Sequence, residues 1–170
     1  MIEVGKLGSA GVPKNAAPVL RNGVVVAALR ASSWKEAAFA VIADREWVFA
    51  KRRGELIARW AADPAESMRF RARQTSFWRS TWTVDLGGTA LTVQSASMWR
   101  GTHRFLAGDQ EVAVSGSTGA WGQRPTLDVR AEGALPLDAQ VFLLWMELVL
   151  RRRTESGASA GAVAATGASG

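Results

Sequence analysis

The sequence predicts a mainly β protein, an antiparallel barrel or sandwich that is completed by one apolar helix near the end of the chain. Between residues 23 and 131, short runs of alternating apolar and polar residues are separated by turns that contain Gly or Asp. Residues 135–153 form the one long apolar segment. The 170 residues contain no cysteine, which excludes a disulfide framework and a thiolate metal site. One domain with a hydrophobic core is expected for this length.

The first half of the chain is predicted to begin with a loose lead-in over residues 1–20, because Gly, Pro and Ala occur there without a clear period. Strands are then expected at 23–30, 36–43, 47–51 and 55–60. In the second of these, Phe39 and Val41 face one side, whereas Ala38, Ala40 and Ile42 face the other. For residues 55–60 a short helix fits the pattern as well as a strand does.

The strand pattern becomes more regular from residue 66 onward. Met68, Phe70 and Ala72 alternate with arginines, which predicts one apolar face and one basic face. Further strands are expected at 76–86, 90–96, 98–106, 111–114, 118–123 and 126–131, with a hairpin turn at Gly87 and Gly88. Regularly spaced short strands of this kind are typical of an antiparallel barrel or sandwich.

The apolar segment is predicted to be a helix over residues 136–153. Pro136 suits a first helical turn, and the Asp138 carboxylate can accept hydrogen bonds from free N–H groups there. Arg151, Arg152 and Arg153 are expected in the last turn, where they would complement the helix dipole. The apolar side chains surround the axis, and Glu147 interrupts a run shorter than the roughly 20 residues of a bilayer span, so we expect a helix enclosed by protein. The domain is therefore expected to cover residues 21–154, followed by a disordered Gly- and Ala-rich tail at 155–170.

The sequence resembles the tubby C-terminal-like superfamily, and within it the LURP-one-related and phospholipid-scramblase-like proteins. The resemblance is carried by W-T-V-D-L-G-G at 82–88, by the hairpin at 105–113 and by the helix at 138–150, and it spans about residues 23–153. It implies a closed antiparallel β-barrel of hairpins with the apolar helix through its centre, and an association with phospholipid. The cysteine cluster of scramblase-like proteins is missing, and Asp128, Glu132 and Asp138 are too dispersed for their calcium segment.

No catalytic residue, cofactor or metal ligand is predicted. His103 is the only histidine, and it has neither a cysteine nor a second histidine as a partner for metal binding, so a structural or surface role is favoured. Nucleophile-elbow and phosphate-loop motifs are absent from the sequence. These observations favour a protein that is not an enzyme.

The best functional lead is a basic strand face formed by Arg69, Arg71 and Arg73, extended by Arg79 on the next strand. Guanidinium groups on one side of a strand repel one another, which an anionic partner would relieve. With a net charge of +6, we expect a non-enzymatic module that binds anionic phospholipid headgroups at the membrane surface. A nucleic-acid-binding barrel, and a scaffold whose basic face only promotes solubility, are the alternatives. The N-terminus lacks a signal-peptide pattern, so a cytoplasmic location with peripheral contact at the inner membrane surface is expected.

Overall fold

The computed structural model describes residues 1–32, 35–76, 80–97, 101–118, 124–131 and 133–166, with side chains described as far as residue 156. Twelve strands form a closed barrel in which each strand pairs antiparallel with its neighbour in sequence, and β1 closes the barrel against β12. The first six strands are β1 (Ile2–Val4), β2 (Ala17–Arg21), β3 (Val24–Ala31), β4 (Ala37–Ile42), β5 (Arg45–Arg52) and β6 (Glu55–Trp60). The remaining elements are β7 (Phe70–Ser76), β8 (Thr81–Asp85), β9 (Ala90–Ser97), β10 (Thr102–Ala107), β11 (Gln110–Thr118), β12 (Arg124–Val129) and the helix α1 (Leu137–Thr166).

The alternation in the sequence places side chains on the two faces of the barrel wall as predicted. Ala38, Ala40 and Ile42 of β4 point inward and are buried, whereas Phe39 and Val41 are exposed on the outside. Residues 55–60, which also fitted a helix, form strand β6 and pair with β5 and β7. Predicted strand segments at 77–79, 98–100 and 119–123 lie outside the described residues.

Three two-residue hairpin turns show why the strands reverse where they do. Asn22 and Gly23, Ala43 and Asp44, and Arg53 and Gly54 all have positive φ angles. Two successive positive φ angles match the right-handed twist of paired strands and allow a hairpin with a minimal loop. These turns connect β2 to β3, β4 to β5 and β5 to β6, which makes a meander in which successive connections alternate between the two ends of the barrel.

The loose lead-in expected over residues 1–20 is corrected by the structure. Ile2 pairs with Leu127 on one side and with Arg21 on the other, so the first strand bridges β12 and β2. Ile2 and Val4 are buried in the core. A strand of three residues is too short to show a period in sequence, and pairing on both sides stabilises it.

Helix α1 passes through the centre of the barrel, as we expected from the sequence. Its residues from Ala139 to Leu150 are buried, with Leu148 partly buried, because strands surround the helix on every side. Phe142 and Trp145 pack against Phe49 with ring centroids 5.7 and 5.3 Å apart. Each fully buried aromatic or aliphatic side chain contributes about 1.5–3 kcal/mol of transfer free energy. The helix is therefore the apolar filling that a twelve-stranded wall requires.

The two ends of the helix differ in how well the sequence predicted them. The Asp138 carboxylate accepts a hydrogen bond from the Ala139 N–H at 2.8 Å, as expected for the first turn. At the other end the helix does not stop at Arg153 but continues to Thr166, into the segment for which a disordered tail was expected. The three arginines consequently lie within the helix, so their predicted role at its C-terminus is wrong.

Candidate anion-binding surface

The structure places the predicted arginine face on and beside strand β7, where part of its charge is neutralised within the chain. Arg69 precedes the strand, and its Nε lies 2.8 Å from Asp63 Oδ2. The hydrogen bond from Arg69 holds the pKa of Asp63 below its usual range. The guanidinium groups of Arg69 and Arg45 lie over the ring of Trp60, at 3.0 and 3.9 Å from its centroid. Arg69 therefore stabilises the connection between β6 and β7.

The other members of that face are not equivalent to Arg69. Arg71 Nη1 lies 3.8 Å from Glu55 Oε2, and Arg71 stands opposite Asp85 of β8 in the strand register. Arg73 is exposed, and the structure gives its side chain no ion pair within the described residues. Arg79 lies outside the described residues. Met68, expected on the apolar face, precedes the strand and is exposed. The repulsion that suggested an external anion is thus relieved in large part by Asp63 and Glu55.

A larger excess of positive charge lies at the end of the barrel where α1 emerges, which we call the basic end. The basic residues of its connections and of the emerging helix are Lys6, Lys14, Lys35, Lys51, Arg52, Arg53, Arg151, Arg152 and Arg153. In the described part of the chain, the acidic side chains at this end are Glu36, Glu55 and Glu155. At the opposite end, the described connections, adjoining strand ends and helix start carry acidic residues at positions 44, 63, 66, 85, 109 and 138 and arginines at positions 21, 45, 69 and 130. Charge is therefore segregated along the barrel axis, which no local sequence pattern reveals because the connections alternate between ends.

The three helix arginines at the basic end hold the barrel rim in place. Arg153 donates two hydrogen bonds to Glu36 in the β3–β4 connection, the second at 2.8 Å, and Lys51 lies 3.1 Å from the same carboxylate. The hydrogen bond from Arg153 is the main cause that lowers the pKa of Glu36. Arg152 donates to the Ser32 carbonyl, and Arg151 Nη2 donates to the Gly116 carbonyl at 2.6 Å. The arginine run is thus a structural clamp that also raises the local positive potential.

The connection between β1 and β2 lies at the basic end and is an ordered extension of the hairpin. The Gly5 N–H donates to the Pro18 carbonyl at 2.7 Å, and the Gly8 N–H donates to the Ala16 carbonyl at 2.8 Å. Gly8 has a φ of +67°, and a Cβ there would lie 3.1 Å from the Lys14 backbone, so the tight turn favours glycine. The turn presents Leu7, 63% exposed, beside Lys6 and close to Lys14.

Four cations at the basic end are available to an external anion. Lys6, Lys14, Lys35 and Arg53 are exposed, and no ion pair to their side chains is found within the described residues. Unlike Arg69 or Arg153, these four cations are given no ion pair with a carboxylate in the described part of the chain. An exposed apolar side chain with lysines beside it, as Leu7 has, is suited to a surface that is apolar beneath and anionic above.

His103 and Glu147 form a polar pair inside the barrel that the sequence did not connect. His103 Nδ1 lies 2.9 Å from Glu147 Oε1 and 3.1 Å from Oε2, and the hydrogen bond is formed with Oε2. Glu147 is 0% exposed, and its Oε1 has no hydrogen-bond partner among the described residues. The Ser115 hydroxyl accepts a hydrogen bond from the His103 N–H at 2.7 Å. The sequence features that could have indicated this pair are the single carboxylate within the apolar part of the helix and the single histidine on a predicted strand.

This pair has the composition of a general-base dyad, in which a carboxylate orients an imidazole. The hydrogen bonds of the described residues position no nucleophile beside the imidazole, and Ser115 instead contacts the His103 backbone. The hydrogen bond from His103 offsets the cost of burying the Glu147 carboxylate, and it joins α1 to β10. In the part of the chain that the structure describes, no group of three or more metal-ligating side chains is found.

Comparisons with known proteins add no further identification. No family model, curated protein or solved structure matches the chain. Over the described residues, no helix is both long and apolar enough to cross a membrane.

Proposed function

We propose that this protein is a non-catalytic binding module that docks on anionic phospholipid surfaces through the basic end of the barrel. The observation that carries the proposal is the ordered β1–β2 connection, which exposes Leu7 together with Lys6 and Lys14. Leu7 would enter the headgroup region while the lysines contact phosphates. The resemblance to LURP-one-related and scramblase-like proteins in the tubby-like superfamily supports the same class of ligand, as does the net charge of +6.

The proposal moves the lipid contact away from the arginine face predicted from sequence. Arg69 and Arg71 are paired with Asp63 and Glu55, so releasing them to bind an anion would break interactions within the chain. Arg73 is exposed and can add to the positive potential without being part of the docking end. In a cell, the anionic surface of this kind that a cytoplasmic protein meets is the inner leaflet of the membrane.

The test is co-sedimentation of the full chain with neutral phosphatidylcholine vesicles and with vesicles that contain about 30% phosphatidylserine. The variant Lys6→Ser/Lys14→Ser is compared with Arg45→Ser/Arg73→Ser, which removes the same charge elsewhere. Each basic residue near an anionic surface contributes about 1 kcal/mol, so the lysine variant should bind about 30-fold more weakly. The arginine control should retain most of the binding, and added salt should weaken binding in every chain.

Leu7→Ser separates insertion from electrostatic attraction. It should weaken vesicle binding while leaving the salt dependence unchanged, because the lysines remain. Absence of binding to any vesicle would overturn the proposal, and equal losses in the lysine variant and the arginine control would overturn the assignment to the basic end. If the wild-type chain ignores vesicles but binds a single-stranded oligonucleotide, the nucleic-acid alternative replaces the lipid proposal.

A further inference from the structure

The outer face of strands β3, β4 and β5 carries an apolar patch, next to residues 13–16 of the β1–β2 connection. Phe39 and Val41 of β4 are 51% and 47% exposed, although both lie within a strand in the barrel wall. In the strand register, Arg30 and Val48 flank Phe39, whereas Ala28 and Glu46 flank Val41. We call these six residues the β4 patch. Large exposed apolar side chains that are contiguous on one surface mark an interaction site more often than isolated ones do.

The shape of the patch favours a protein surface as its occupant. Two recesses of about 330 Å³ each open on this face, and Phe39 lines both of them. One recess is also lined by Arg30 and Val48, and the other by Val41 and Glu46. A ridge between two recesses is able to interlock with a complementary ridge.

The charges of the patch distinguish among the possible occupants. Arg30 and Glu46 stand at diagonal corners, and neither side chain has an ion pair within the residues that the structure describes. The Arg30 guanidinium lies 5.2 Å from the Phe39 ring centroid, so it borders the apolar centre. An anionic lipid surface or a nucleic acid would be repelled by Glu46. One positive and one negative corner around an apolar centre is a self-complementary arrangement, as a twofold interface requires.

We propose that two copies of this chain associate face to face through the β4 patch. A twofold axis along the diagonal from Ala28 to Val48 sets Phe39 of one copy against Val41 of the other. The same operation sets Arg30 of each copy against Glu46 of the other, which forms two equivalent ion pairs at the edge of the contact. A closed barrel has no free strand edge, so two copies can associate through the barrel wall by side-chain contacts but not by strand pairing.

The experiment is sedimentation equilibrium of the full chain over a concentration series in buffer without vesicles. The wild-type chain should show a monomer–dimer equilibrium, and Phe39→Ser/Val41→Ser should be monomeric. Arg30→Glu and Glu46→Arg should each raise the dissociation constant at least about tenfold, because each reversal places two like-charged pairs in the interface. The double variant Arg30→Glu/Glu46→Arg should restore dimerisation, since it exchanges the two charges.

Arg73→Glu is the matched control, because it reverses an exposed charge outside the patch, and it should dimerise like the wild-type chain. Thermal unfolding of each variant confirms that the barrel remains folded, which is expected for exposed positions. A wild-type chain that stays monomeric throughout the series would overturn the proposal. A dimer that survives Phe39→Ser/Val41→Ser, or one that the double charge exchange does not restore, would also overturn it. None of these outcomes depends on lipid binding.

Discussion

His103 of β10 lies with its Nδ1 2.9 Å from Glu147 Oε1 of α1, and this contact joins the barrel wall to the helix that fills it. The Glu147 side chain is completely buried, whereas the His103 side chain is 12% exposed. Burying a carboxylate is costly unless a hydrogen bond or a positive charge compensates it. The pair therefore favours the register and rotation of α1 that bring Glu147 to this histidine.

Removing one partner of the pair should cost more than replacing both. His103→Leu leaves the Glu147 carboxylate buried without its partner and should lower the free energy of unfolding by about 3 kcal/mol. His103→Leu/Glu147→Met exchanges both groups for apolar ones and should recover at least half of that loss. Urea unfolding of the two single variants and the double variant measures the coupling. Additive effects would show that the two residues do not interact.

Glu36 should make the stability of the barrel rim depend on pH. Its pKa is lowered chiefly by the hydrogen bond from Arg153, so its contribution is present above the ordinary pKa of 4.5 and is lost as the pH falls through the lower folded value. Glu36→Gln should therefore lower the melting temperature by a few degrees at about pH 7 and by less near pH 3. Differential scanning calorimetry at both pH values measures the change.

The control for Glu36 is its second partner. Lys51→Met should lower the melting temperature at pH 7 by less than Arg153→Met does, because the Arg153 hydrogen bond is the larger cause of the lowered pKa of Glu36. A destabilisation by Glu36→Gln that is as large at pH 3 as at pH 7 would contradict the role of the ionised carboxylate.

Arg69 and Arg73 should differ in their effect on stability, although they occupied equivalent positions in the predicted basic face. Arg69→Ser removes the bond to Asp63 and the contact with Trp60, and it should lower the melting temperature measurably. Arg73→Ser should remain within about 0.5 kcal/mol of the wild-type free energy of unfolding. Thermal unfolding of both variants, followed by circular dichroism, measures the difference. Equal melting temperatures would show that the Arg69 contacts do not stabilise the fold.

Ile2 should behave as a core residue. Its side chain is 1% exposed between β12 and β2, so Ile2→Ala should lower the free energy of unfolding by about 2–5 kcal/mol. Val24→Ala, at a strand position that is 65% exposed, is the control and should change it by less than about 0.5 kcal/mol. Equal effects in denaturant titrations would contradict closure of the barrel by the first strand.

Much of the architecture follows from short stretches of sequence. Ala38 to Ile42 already show which side of the wall faces inward, because successive strand residues alternate between two faces. Gly87 and Gly88 were predicted to form a hairpin turn, and both have positive φ angles between β8 and β9. The all-round apolarity of residues 141–150 required enclosure, and the barrel provides it.

Local sequence patterns thus specify most of the hairpins and the apolar helix, since both depend on interactions between neighbours along the chain. Which charges are neutralised depends on tertiary structure, because the partners are distant in sequence: Glu36 with Arg153, and His103 with Glu147. The tertiary structure also decided that Ile2 closes the barrel and that positive charge gathers at the end where α1 emerges. A two-residue period specifies the face of a strand on which a side chain lies, but partners across a closed barrel are set by closure itself.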